Sequence, residues 1–175
     1  MKPMKRVLTV TVNNNSGVLN RVTGLFAKRQ FNIESITVGP TENPTVSKIT
    51  FIVPMDDPGK MEQLVKQLQK QIDVLKVSDI TDKSIVTREL ALIKVQCPPP
   101  VRSEVYSIIE PFRATVIDMG KNNITVQVTG EPNKVEAFIE LLRPYGIKDI
   151  SRTGVTAFVR EYQKQESAQL SILQL

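Results

Sequence analysis

The sequence predicts an α+β protein made of two ferredoxin-like βαββαβ units in tandem. Three observations carry this. Alternating strand patterns and amphipathic helix patterns follow one another as strand, helix, strand, strand, helix, strand, and the whole order then repeats without obvious sequence identity. Breaks rich in proline and glycine separate the patterns. Finally, 175 residues with 41% hydrophobic content suffice for two small domains with proper cores.

The first unit spans residues 5–80. Residues 6–12 alternate, with Leu8, Val10 and Val12 on one face and Val7, Thr9 and Thr11 on the other. Val18, Leu19, Val22, Leu25 and Phe26 then follow helical spacing, with Asn15 or Ser16 as the expected N-cap. Residues 31–38 read as a strand, and Gly39-Pro40 and Asn43-Pro44 as a loop. Residues 46–53 form the next strand, with Ile49, Phe51 and Val53 on one face. Asp57-Pro58-Gly59 opens a second helix whose apolar stripe is Met61, Leu64, Val65, Leu68 and Ile72. Residues 74–80 close the unit as a strand.

The second unit spans residues 84–160, with a boundary near 81–88 that contains no long flexible run. Residues 90–96 form a strand, three prolines at 98–100 break the chain, and Val101, Val105, Ile108 and Ile109 mark a helix. Residues 112–119 and 124–129 are strands joined by a tight Gly-Lys-Asn-Asn turn. A helix over 131–142 turns Val135, Phe138, Ile139 and Leu142 inward, and residues 147–159 contain the last strand. Residues 161–175 form a tail, Gln- and Ser-rich with scattered leucines from 163 onward, that reads as disordered in preference to a short helix.

Composition excludes several classes of function. Lys+Arg is 23 against Asp+Glu 18, a net charge of +5, but the excess is spread along the chain and forms no basic block of the kind nucleic-acid binding uses. There is no histidine and one cysteine, Cys97, so neither an intramolecular disulfide nor a Cys/His zinc site can form. Cys97 reads as a buried bystander. The N-terminus lacks the apolar core of a signal peptide and no stretch approaches a membrane span, so a cytoplasmic location is expected.

Two places could bind a ligand. Residues 14–19, Asn-Asn-Ser-Gly-Val-Leu, join the first strand to the first helix. A helix start presents free N–H groups and the positive end of the helix dipole, so a small carboxylate could be held by the amides of Gly17, Val18 and Leu19 without a basic residue. Gly17 leaves the backbone open to approach. Asn, Ser and Gly are also common at ordinary helix starts. Asn32 opens the second strand, and its amide offers a donor and an acceptor for an ammonium or a carboxylate. The open face of the first sheet should carry Val7, Thr9, Thr11 and either Ile33 or Ile36, which is too apolar for solvent and predicts association through faces or edges.

The run Asn-Asn-Ser-Gly-Val-Leu-Asn-Arg-Val-Thr-Gly-Leu-Phe (14–26), followed by Phe-Asn-Ile-Glu-Ser-Ile-Thr-Val (31–38), resembles the regulatory small subunits of acetolactate synthase, also called acetohydroxyacid synthase. Gln-Ile-Asp-Val-Leu-Lys-Val (71–77), Arg-Glu-Leu-Ala-Leu-Ile-Lys-Val (88–95) and Phe-Arg-Ala-Thr-Val-Ile-Asp (112–118) extend the resemblance through about residue 160. It implies an N-terminal ACT domain that pairs with a second copy, binding a branched-chain amino acid, chiefly valine, where the two meet. The family's effector loop falls on Asn14, Ser16, Gly17, Val18 and Leu19, and its amide residue after the first helix on Asn32; Asn20 stands where serine is frequent. The resemblance also implies a non-catalytic role. The large catalytic partner carries thiamine diphosphate, a divalent metal (Mg) and usually FAD, and condenses pyruvate with pyruvate or 2-oxobutyrate. The small subunit raises its activity and confers end-product inhibition.

On this reading the valine carboxylate sits on the first helix start, its ammonium near Asn32, and its isopropyl group in a slot lined by Val18, Leu19 and Ile33. Two rivals share the βαββαβ order. An RNA-binding module needs base-stacking aromatics on its central strands, where this chain offers only Phe51, on the helix side. An acylphosphatase-like hydrolase needs an arginine at its phosphate loop, and residues 13–17 contain none.

Overall fold

A computed structural model describes residues 4–161, so the predicted tail lies outside the described residues from position 162 onward. Its alternating first segment forms β1 (Lys5–Asn13), and the helical spacing after it forms α1 (Val18–Lys28). β2 (Ser35–Pro40), β3 (Val46–Pro54), α2 (Pro58–Leu68) and β4 (Val74–Asp79) complete the first unit. Its four strands pair antiparallel in the order β2-β3-β1-β4, the crossover order of a ferredoxin-like sheet. Leu8, Val10, Ile49 and Phe51 on the sheet and Val22, Phe26, Leu64 and Leu68 on the helices meet in one core. Phe26 and Phe51 stack with ring centroids 4.6 Å apart.

The second unit repeats the plan with β5 (Ile85–Gln96), α3 (Arg102–Ile109), β6 (Thr115–Met119), β7 (Asn123–Gly130), α4 (Pro132–Leu142) and β8 (Ile147–Arg152), in the strand order β6-β7-β5-β8. Val135, Phe138, Ile139 and Leu142 all face its core, as their spacing predicts, and Cys97 is buried there. A further strand, β9 (Thr156–Val159), pairs with the first four residues of β5.

Several local expectations are corrected. Gly39 and Pro40 belong to β2, opposite Lys48 and Ser47, and are not loop. Because β2 is an edge strand, a missing proline N–H breaks no ladder there. Residues 31–34 precede the strand because α1 exits through a left-handed Gln30 (φ 58°), with the Phe31 N–H donating to the Phe26 carbonyl at 2.9 Å. This is a Schellman-type end. Asn32 therefore lies in the turn before β2 instead of opening the strand. Ile72 is 96% exposed because α2 stops at Leu68 and the following turn swings it out of the stripe. The last segment is two strands, since a left-handed Gly154 (φ +85°) separates β8 from β9. β5 begins at Ile85, inside the stretch read as the boundary.

The open face of the first sheet also differs from expectation. Ile33 and Ile36 pack on the helix-side core. Val7 and Ile52, on the other face, form a third small cluster with Ile80, Val155, Ala157 and Ile85. Part of the face predicted to seek a partner is thus covered by the chain's own second unit.

Candidate functional site

The Asn13–Gly17 turn is shaped by main-chain bonds that leave helix amides uncovered. The Asn13 N–H donates to the Asp73 carbonyl and the Asn14 N–H to the Thr45 carbonyl, each at 2.8 Å, while the Asn14 side-chain amide donates to the Pro44 carbonyl at 3.0 Å. The N-cap of α1 is Gly17, with φ 80° and ψ −5°, and no side chain caps the helix. Asn15 and Ser16 therefore do not act as the expected caps. The Asn15 carbonyl instead accepts from Val18 N–H at 3.3 Å. Of the three amides proposed for a carboxylate, Val18 is thus already engaged. Gly17 and Leu19 meet no acceptor among the described residues.

Asn14, Ser16, Gly17 and Leu19 are exposed at this end of the sheet. Val18 differs, being 3% exposed with its side chain inside the first core. It cannot line a slot for a ligand's isopropyl group, whereas Leu19, on the next helix position, can.

Two functional candidates escaped the sequence reading. Arg21 lies one helical turn after Gly17, and helical side chains tilt back toward the N-terminus. Its Nη1 comes within 3.2 Å of where a Cβ on Gly17 would stand. Its Nη2 pairs with the carboxylate of Asp73, which also accepts from the Asn15 side chain at 3.4 Å. The hydrogen bond from Arg21 holds the Asp73 carboxyl below its usual range. A basic residue therefore stands beside the loop, half-exposed, with its charge balanced by Asp73. Arginine at the fourth position after glycine was a usable signal; Asp73, more than fifty residues along the chain, was not.

Asn32 and Ile33 lie elsewhere. Glu34 follows them closely, donates its N–H to the Ile52 carbonyl at 2.9 Å and ion-pairs with Lys5 at the start of β1. Ile52 faces Val7, whereas the Gly17 loop leaves the far end of β1 at Asn13. At about 3.3 Å per residue the two halves of the candidate site are separated by on the order of 20 Å along the sheet. One chain does not bring them together. Neither of two shallow clefts among the described residues, one lined by Arg29, Phe31, Lys60, Gln63 and Leu64 and the other by Arg88, Thr129, Gly130, Glu131 and Lys134, contains a residue of either half.

Elsewhere, Cys97 is fully buried, and burial pushes its thiol pKa up, so it is a poor nucleophile. Phe51 is fully buried under Phe26 and unavailable to stack on a base. Among the described residues no group of three or more acidic, cysteine or histidine side chains converges on a metal position. None of their helices is long and apolar enough to cross a membrane.

Comparison with known proteins agrees with the two-unit fold. Residues 8–76 match the AHAS small subunit-like ACT domain, and residues 88–161 match the family described as the small subunit of acetolactate synthase. The acetolactate synthase small subunit of Bacillus subtilis is 63% identical over 169 residues, 97% of this chain and 98% of that protein. A probable acetolactate synthase small subunit of Archaeoglobus fulgidus is 48% identical over 161 residues, 92% of this chain and all of its own. The crystal structure of the acetolactate synthase small subunit from Thermotoga maritima superposes with a TM-score of 0.82 at 38% identity, covering 90% of this chain and 98% of that one. With an ACT unit in front, the family's own C-terminal unit behind, and close relatives aligned along nearly their whole length, this chain belongs to the acetolactate synthase small-subunit family.

Proposed function

We propose that this chain is the feedback-control subunit of a cytoplasmic acetolactate synthase. It binds valine between two paired ACT units, and it activates the large catalytic subunit in valine's absence. That partner carries thiamine diphosphate, magnesium and FAD and performs the carbon–carbon bond formation; this chain performs none of it.

One observation supports the site above the others: its two halves lie at opposite ends of a single sheet, so two copies paired head to tail could bring unlike halves together. β2 is an edge strand, Asn32 precedes it, and α1 joins β1 to it across the sheet. If two copies pair antiparallel along β2, Asn32 of one approaches the Gly17 loop of the other. The valine carboxylate then takes the open amides of Gly17 and Leu19 and the outer face of Arg21, and the ammonium takes the Asn32 side-chain oxygen. Exposed Val38 on β2 suits such an edge contact. Asp73 moderates the site, since an arginine already paired attracts anions less than a bare one would, which keeps binding reversible.

Calorimetry with valine, leucine and isoleucine, combined with sedimentation, tests this directly. Valine binding to a dimer at one site per protomer supports it; a monomer that binds no aliphatic amino acid would end it. The hydrolase alternative gains an arginine it lacked in the sequence, but Asp73 holds that arginine and would repel a phosphate dianion. Turnover of acyl phosphates by the purified chain would revive it.

A further inference from the structure

We propose that the main chain of Gly154 and Val155, seated between the hydroxyls of Ser35 and Thr37, is the contact that couples the effector-binding unit to the C-terminal unit. The proposal rests on the effector site argued above and adds the route by which its occupancy is felt.

The contact is specific. Val155 N–H donates to the Ser35 Oγ at 2.9 Å, and the Thr37 Oγ1 donates to the Val155 carbonyl at 2.6 Å. Both polar groups of one residue are thereby satisfied by two hydroxyls on the same face of β2, since residues two apart on a strand point the same way. Gly154 lets the backbone settle there. Its φ is +85°, and a Cβ would lie 2.7 Å from the Ser35 Oγ and 3.1 Å from the Ile36 carbonyl oxygen. No side chain other than hydrogen fits between the two units at this point.

Its position makes it a conduit. β2 starts three residues after Asn32 and, as an edge strand, is held laterally by β3 alone. A ligand that draws residues 32–33 toward a second copy must shift β2 or strain it. On the far side, residues 156–159 pair with residues 85–88, the first part of β5. β5 is also paired with β7 and β8 in the second sheet. A movement of β2 therefore reaches an internal strand of the second unit through one paired segment. The covalent linker offers a poorer route. Ile80 N–H donates to the Val7 carbonyl at 2.9 Å, which ties it to β1, a strand held on both sides. Coupling requires an element whose arrangement both sites bias, and β2 with its seated Val155 meets that description.

The test uses the full-length chain, alone and in complex with its catalytic subunit. Amide exchange on the wild type, with and without valine, is read at β2, at 85–88 and at 156–159. All three should gain protection together. Protection confined to the first unit overturns the proposal, and this measurement needs no variant. The S35A/T37V double variant should still bind valine by calorimetry, lose the exchange response at 85–88 and 156–159, and need about tenfold more valine for half-inhibition. Thr37→Ser keeps the hydroxyl and should behave as wild type; equal loss in Thr37→Ser and Thr37→Val would mean packing alone and overturn the hydrogen-bonded route. A double variant that binds valine and is inhibited like wild type also overturns it. If the wild type binds no amino acid, the effector site itself fails, and the coupling falls with it.

Discussion

At Gly17 the chain turns left-handed to start α1, and the space a side chain would need adjoins the guanidinium of Arg21. Gly17→Asp would put a carboxylate where the ligand's own is argued to sit, with Arg21 drawn toward it. Aspartate is among the residues that tolerate this backbone region, so the fold should survive. The expected outcome is loss of valine inhibition, with half-inhibition shifted by more than about tenfold, and activation of the catalytic subunit retained; titration of the reconstituted complex checks both. Asp73 gives a pH prediction. Its folded pKa lies below the ordinary value, so its contribution is fully present above the unfolded pKa and is lost as pH falls through the folded one. Loop amides at 13–17 should lose exchange protection on acidification below about pH 4, the usual aspartate range, and Asp73→Asn should remove that dependence. Glu89 is 4% exposed and accepts two bonds from Arg152, at 2.7 and 2.8 Å. Glu89→Ala removes two charge-assisted bonds but leaves Arg152 partly exposed and paired with Glu136, so denaturant unfolding should show a loss of about 1–2 kcal/mol.

The elements follow from local chemistry where local chemistry is strong. Asp57 is a side-chain cap: its Oδ1 accepts from the Gly59 and Lys60 N–H groups, with Pro58 in the first turn of α2. Asp57→Ala should therefore cost about 1 kcal/mol in unfolding free energy. The helix α1 has no such cap and depends on docking, which Phe26 and Phe51 dominate. Periodicity identified α1, β1, β3 and α4 because burial of one face repeats at the period of the element itself. It misjudged 31–34, Gly39-Pro40 and Ile72 because those depend on where an element ends. A helix end is set by backbone geometry at one residue, such as Gln30, and whether a proline belongs to a strand depends on which neighbour that strand lacks.

Across the molecule, two similar sandwiches share a third, smaller core around Val7, Ile52, Ile80, Val155 and Ala157. Packing between the units means that a ligand on the first is felt as stability of more than the first alone. Valine at about 100 times its dissociation constant should add ~2.7 kcal/mol to the folded state, and the thermal midpoint should also rise with protein concentration if pairing along β2 completes the site. A shift with leucine or isoleucine equal to that with valine would broaden the effector to the whole branched-chain class. The tandem plan, the core faces and the glycine-led loop at 14–19 could be read from residue order because each depends on neighbours within a few positions. Arg21 beside Gly17, Asp73 beneath both, the separation of Asn32 from that loop and the seating of Val155 on Ser35 and Thr37 could not. Those contacts join residues up to 120 positions apart, and which strangers meet is settled by strand order and by the packing of one sheet on the other.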